Sequence, residues 1–219
     1  MSQEMDGFKT NELLNAPASQ KNIAVLVSGN GSNLKALINA VNTGKITNAN
    51  IALVISNKKN VNALKIAKDA EIPAVYIARD VFDSDEEYDL FLLIKLNEYS
   101  IDLVLLAGYL RIITPTFLKA YENRILNIHP SLLPSFGGKG MYGMKVHQAV
   151  LNSKSDKSGC TVHLVTEEID GGPILAQACV SIAPEDTAEV IAAKILIEEH
   201  KLYPQAVNNF ISTIMLNSI

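Results

Sequence analysis

From residue 22 the chain alternates short unbroken apolar runs with longer stretches in which apolar positions recur every three or four residues. The runs are IAVLV (23–27), IALVIS (51–56), AVYIA (74–78), DLVLLAG (102–108) and ILNIH (125–129). They are continuous rather than alternating, so each reads as a strand covered on both faces, as in a parallel sheet between helices. Between them NLKALINAVNTG, VNALKIAKDAEIP and SDEEYDLFLLIKLNEYS carry the helical period. Gly44 suits the end of the first, and Ser84 with Glu87 three residues on forms a capping box at the start of the third. Strands and helices alternating at this spacing predict βαβ units in a doubly wound α/β sheet.

After His129 the rhythm changes. A Pro- and Gly-rich loop (PSLLPSFGGKGMYG) leads to a short helix, MKVHQAVLN, and then to two β-rich segments, CTVHLVT (160–166) and PILAQACVSI (173–182). Joined by the turn-like EEIDGG, they predict an extension of the sheet with at least one antiparallel strand near the C-terminus. A last helix is expected from Glu185 to about His200, ending before Pro204.

Composition narrows the class. A chain of 219 residues with 48% hydrophobic content can bury a sizeable core. With no internal repeat, low-complexity segment or linker, residues 21–219 are expected to form one domain. Residues 1–20 (MSQEMDGFKTNELLNAPASQ) read as an extension, a short helix or a flexible arm, without the apolar run of a secretory signal. No stretch approaches the roughly 18 apolar residues that cross a bilayer. A net charge of −4 argues against a nucleic-acid binder, which needs a clustered positive surface. Cys160 and Cys179 lack metal-knuckle spacing and read as two reduced, half-buried thiols of a cytoplasmic protein. His129, His147, His163 and His200 lie far apart in the chain and give no metal-ligand pattern.

Three stretches carry candidate chemistry. SGNGSNL (28–34) directly follows the first strand, and a glycine-rich turn opening a helix is a natural phosphate site. A dinucleotide fingerprint needs a third glycine at position 34, which is Leu, and an acid after the second strand, where Ser56-Asn57-Lys58-Lys59 stands. A P-loop is excluded because no Gly-Lys-[Ser/Thr] follows, which leaves a monophosphate or a plain strand-to-helix turn. NIHPSLLP (127–134) ends the fifth strand, with Asn127 and His129 two apart and so on one face. An amide donor beside an imidazole can stabilise an oxyanion and move a proton, although a structural Asn beside a core His has the same sequence. Asp170, on the glycine turn of EEIDGGP, can orient and charge His129, or simply close an Asp-Gly turn.

Together VLVSGNGSNL, LAGYLRII, LNIHPSLLPSF, GCTVHLVTEEIDGGPIL and EEHKLYP resemble the phosphoribosylglycinamide formyltransferases, the folate-dependent transformylases of purine synthesis, over about residues 22 to 205. The resemblance implies a Rossmann-type sheet and transfer of the formyl group of 10-formyltetrahydrofolate, a co-substrate, to the amine of 5-phosphoribosylglycinamide. It implies no metal and no covalent enzyme intermediate. Asn127, His129 and Asp170 would be the catalytic trio. Gly31, Ser32 and Asn33 would hold the phosphate, with Pro130 and Glu199 also on the ribonucleotide. Leu110, Arg111, Ile112 and Ile113 would line the folate site, which Asn127 and the turn from Thr166 to Asp170 complete.

Two departures stand out. Some members carry an arginine where this sequence has Asp85, and that arginine helps hold folate's glutamate end. An acid there cannot do so, which makes Arg79 or a lysine the candidate substitute. FGGKGMYG is longer and richer in glycine than the shortest family form, and reads as a lid beside the ribonucleotide or as a tolerated insertion. The expected partners are small molecules, not nucleic acid or membrane, with the protein a monomer or weak homodimer. A 10-formyltetrahydrofolate hydrolase shares the trio but usually carries a preceding regulatory domain. A methionyl-tRNA formyltransferase needs a further C-terminal domain and a basic surface. A non-catalytic nucleotide-phosphate-binding domain would need only the first loop.

Overall fold

The structure, a computed structural model, describes residues 20–216, so the extension expected over residues 1–20 lies almost wholly outside the described residues. Seven strands and six helices follow in the order β1 (Lys21–Val27), α1 (Ser32–Asn42), β2 (Ala49–Ser56), α2 (Asn62–Asp69), β3 (Ala74–Tyr76), α3 (Asp85–Glu98), β4 (Leu103–Leu106), α4 (Pro115–Ala120), β5 (Ile125–His129), α5 (Met144–Asn152), β6 (Lys157–Leu164), β7 (Ile174–Ser181) and α6 (Ala188–Leu216). They build one sheet in the order β3-β2-β1-β4-β5-β6-β7. The first five strands run parallel, and β6 and β7 are antiparallel to their neighbours.

The unbroken apolar runs are explained by the two cores. Ile23, Val25 and Val27 of β1 point into one, with Leu34 and Leu37 of α1, Ala63 and Ala67 of α2, and Ile191, Tyr203 and Val207 of α6. Ala24 and Leu26 point into the other, against Tyr88, Leu92 and Leu96 of α3 and Phe117 of α4. Both sides of each central strand are therefore dry. The strand order reverses between β1 and β4, and in open α/β sheets ligands bind in the crevice outside the strand C-termini at such a point. The loops after β1, β4 and β5 share that rim.

Local signals act as read. Ser84 accepts a hydrogen bond from the Glu87 N–H, while the Glu87 carboxylate receives the N–H of Asp83 rather than of Ser84. Gly44 follows α1 at a left-handed φ of 69°. The helix α4 has no counterpart in the periodicity, since six residues are too few to show one; Thr114 caps it and Pro115 opens it.

Two expectations are corrected. The last helix does not stop before Pro204: α6 runs through it to Leu216. The proline forfeits one backbone hydrogen bond, but Tyr203 just before it and Ala206, Val207 and Ile211 after it are buried, and their packing keeps the helix going. The thiols are not alike either. Cys160 is fully buried on the inner strand β6, whereas Cys179 is exposed on the edge strand β7. Among the described residues no helix is long and apolar enough to cross a membrane.

Candidate active site

The turn after β1 is built around Gly31, at a left-handed φ of 80°, where a Cβ would lie 2.7 Å from the Ala63 Cα. Only glycine fits both that conformation and that approach. Gly31 caps α1 without any side-chain bond, so the first-turn N–H groups keep their polarity for a ligand. Ser28 ties this loop to the next: its Oγ donates to Asn57 Oδ1 at 2.6 Å and accepts the Leu110 N–H at 2.9 Å. From the far end of the chain Glu199 enters the same place. Its carboxylate accepts the Asn33 Nδ2–H at 2.7 Å, and burial pushes its pKa up to about 7. The Asn33 Oδ1 is buried with no partner.

After β4 the segment Leu110–Ile113 forms an apolar lip. Ile113 is buried, while Leu110 and Ile112 are 51% and 62% exposed, enough apolar surface at a concave edge to receive a flat hydrophobic ligand. Arg111 lies over the Tyr88 ring, 4.5 Å from its centroid, and donates to Asp85 at 2.5 Å. Asp85 also accepts from Arg79 at 2.5 Å, and these two arginines, Arg79 first, hold its carboxyl below the usual range.

The chemistry-bearing wall is the β5–β6 pair. Asn127 stands opposite His163 in the antiparallel register. His163 Nδ1 lies 2.9 Å from the Leu164 carbonyl, which can only accept, so Nδ1 carries a proton. Burial lowers the pKa of His163, leaving it neutral with Nε2 as an acceptor. The Asn127 amide therefore donates one hydrogen to His163 across 3.1 Å and keeps the other for the cavity. His129 faces oxygen at both ring nitrogens: Nε2 lies 3.0 Å from the Phe136 carbonyl and Nδ1 is 3.5 Å from Asp170 Oδ2. The two oxygens fix the plane of the ring from both sides.

Asp170 is aimed by its turn. It sits at a φ of 58°, a conformation Asp tolerates, and its Oδ2 accepts the Gly138 N–H at 2.9 Å. Behind it a Cβ on Gly172 would lie 1.9 Å from the Leu164 carbonyl oxygen, so the turn can fold back on β6 only with glycine there.

A cavity of about 710 Å³ joins these pieces. Of the residues singled out from sequence, Asn33, Leu110, Arg111, Ile112, Ile113, Asn127, His129, Pro130, Thr166, Asp170 and Glu199 line it. Gly31 and Ser32 do not border it, and Asp85 reaches it only through Arg111. Two histidines among the other lining residues were not read as part of the site. His163 holds Asn127, a pairing that depends on strand register. His147 of α5 is buried with an unpartnered Nδ1, and burial, then the nearby His129, lower its pKa. The loop Gly138–Gly143 forms part of the wall. Among the described residues no group of three or more His, Cys, Asp or Glu is arranged to hold a metal ion.

Residues 21–207 match the family described as Formyl transferase. The chain is 41% identical over 189 residues to the phosphoribosylglycinamide formyltransferase of Escherichia coli (strain K12), covering 86% of each. It is 44% identical to the chloroplastic phosphoribosylglycinamide formyltransferase of Arabidopsis thaliana over 86% of this chain, and spans 64% of that relative's length. Among solved structures, phosphoribosylglycinamide formyltransferase from Bacillus halodurans superposes with a TM-score of 0.82 at 38% identity, over 88% of this chain and 96% of that one.

Proposed function

The chain belongs to the formyl transferase family, and from that premise we propose that it moves the formyl group of 10-formyltetrahydrofolate onto the amine of 5-phosphoribosylglycinamide. The observation that carries the reading is convergence: Asn127, His129 and Asp170 share one cavity with the apolar lip at Leu110–Ile113 and with the Asn33–Glu199 pair. A folate ring and an amine tethered to a phosphate are the two ligands such a cavity suits.

In this reading the first turn of α1, at Gly31, Ser32 and Asn33, takes the phosphate, and Glu199 and Pro130 position the glycinamide arm. Leu110, Arg111, Ile112 and Ile113, with Thr166 on the facing turn, receive the folate ring. The amine attacks the formyl carbon, whose oxygen becomes an oxyanion. The free Asn127 N–H stabilises it together with the His129 Nε2–H, which turns to it from the Phe136 carbonyl as substrate binds, each such donor contributing roughly 10²–10³ in rate. The C–N bond to N10 then breaks, and the proton lost by the amine ends on N10. Asp170 keeps His129 oriented, and the Gly138 N–H keeps Asp170 in place. Asp85 belongs to the folate side as the brace of Arg111, not as a ligand of its own. A cytoplasmic location and a monomer or weak homodimer go with this reading.

The test is formyl transfer by wild type beside His129→Ala and Asp170→Asn. Wild type should form formylglycinamide ribonucleotide, and both variants should lose at least about 100-fold in kcat. Near-normal kcat in both would refute the assignment of the trio.

A further inference from the structure

The cavity is short of positive charge. Its ionisable lining comprises the carboxylic side chains of Glu167, Asp170 and Glu199 against the cations Arg111 and Lys139, with three histidines and two tyrosines besides. Arg111 is already committed to Asp85. A phosphate monoester carries about −1.5 to −2 at neutral pH, and a helix N-terminus offers the equivalent of about +0.5. The one side-chain amide at that terminus that borders the cavity, Asn33, donates to Glu199, itself an acid. Lys35 on α1 and Lys58 and Lys59 beyond β2 do not border the cavity.

Lys139 differs from all of these. It is exposed, lines the cavity, and makes no ion pair with any described residue. It stands between Gly138 and Gly140, both at a φ of 89°, and the Gly138 N–H is fixed on Asp170. A flexible stem carrying a point charge, on a backbone anchored beside the reacting centre, suits a phosphate whose position is set by the rest of the substrate.

We infer that Lys139 is the cation that binds the ribonucleotide's phosphate, so that FGGKGMYG is a substrate-binding loop rather than a tolerated insertion. The inference rests on the formyl-transfer reading and can fail separately from it. Affinities for 5-phosphoribosylglycinamide and for its dephosphorylated riboside are measured by calorimetry on wild type, Lys139→Met and Lys139→Arg, with kcat in parallel. Lys139→Met should weaken the ribonucleotide about 10-fold or more, about 1.4 kcal/mol, and leave the riboside and the folate unchanged. Lys139→Arg should restore most of the loss. The ribonucleotide's Kd should also rise with NaCl less steeply in Lys139→Met than in wild type. Equal weakening of both acceptors, a loss in folate affinity instead, or an unchanged salt slope would overturn the assignment. Absence of formyl transfer by wild type would instead remove the reading beneath it.

Discussion

Replacing Glu199 with Gln isolates the most costly buried charge that this site holds. Glu199 is 7% exposed, and its pKa is raised from 4.5 to about 7, chiefly by burial and against the hydrogen bond from Asn33. The sign follows from proton binding. Between pH 4.5 and 7 the folded protein holds a proton at Glu199 that the unfolded chain has released, so stability falls as pH rises through this window. At about 1.4 kcal/mol per tenfold change in proton affinity, the full cost is about 3 kcal/mol, most of it incurred between pH 5 and pH 8. Gln keeps an oxygen to accept from Asn33 and never ionises. Urea unfolding of both proteins should therefore show the variant gaining by about 2–3 kcal/mol, relative to wild type, on going from pH 5 to pH 8. All other titrating groups are common to both and cancel. At pH 8 Glu199→Gln should be the more stable protein and the poorer ribonucleotide binder. A stability difference that is flat across this range would refute the burial argument.

Two further substitutions test the geometry around that pair and around Asn127. Gly31→Ala forces a left-handed φ on a residue with a Cβ that meets Ala63, costing at least roughly 1–2 kcal/mol. Thermal unfolding should drop by several degrees, and ribonucleotide affinity should fall more than folate affinity. His163→Phe fills the same buried site but removes the acceptor that aims the Asn127 amide. Its kcat should fall about 10-fold with KM little changed, and His163→Gln should recover part of it; an equal loss in both variants would mean that His163 only packs.

Much of the fold was legible because the central strands are dry on both faces, and an unbroken apolar run records that directly. Legibility failed where tertiary contacts overrule local signals. Pro204 is a valid stop, and only the burial of Tyr203 and Val207 in a core assembled from distant elements overrides it. Strand β4 ends at Leu106 rather than position 108 because Gly108 turns away at a φ of 70°. In the site, Asn127 and His129 are visible from their spacing on one strand. Their partners are not: His163 faces Asn127 across an antiparallel register, and Glu199 meets Asn33 from 166 residues away. Without the family resemblance Glu199 reads as a solvated helix charge, which its burial contradicts.

The central claim, that the cavity passes a formyl group from a folate to an amine, is tested most directly by following the label. Wild-type protein is incubated with 10-formyltetrahydrofolate labelled in the formyl carbon, with and without 5-phosphoribosylglycinamide. Label should move onto the ribonucleotide in step with tetrahydrofolate released, and stay on the folate when the acceptor is left out. Label appearing as formate at a rate indifferent to the acceptor would contradict that claim and make the protein a hydrolase.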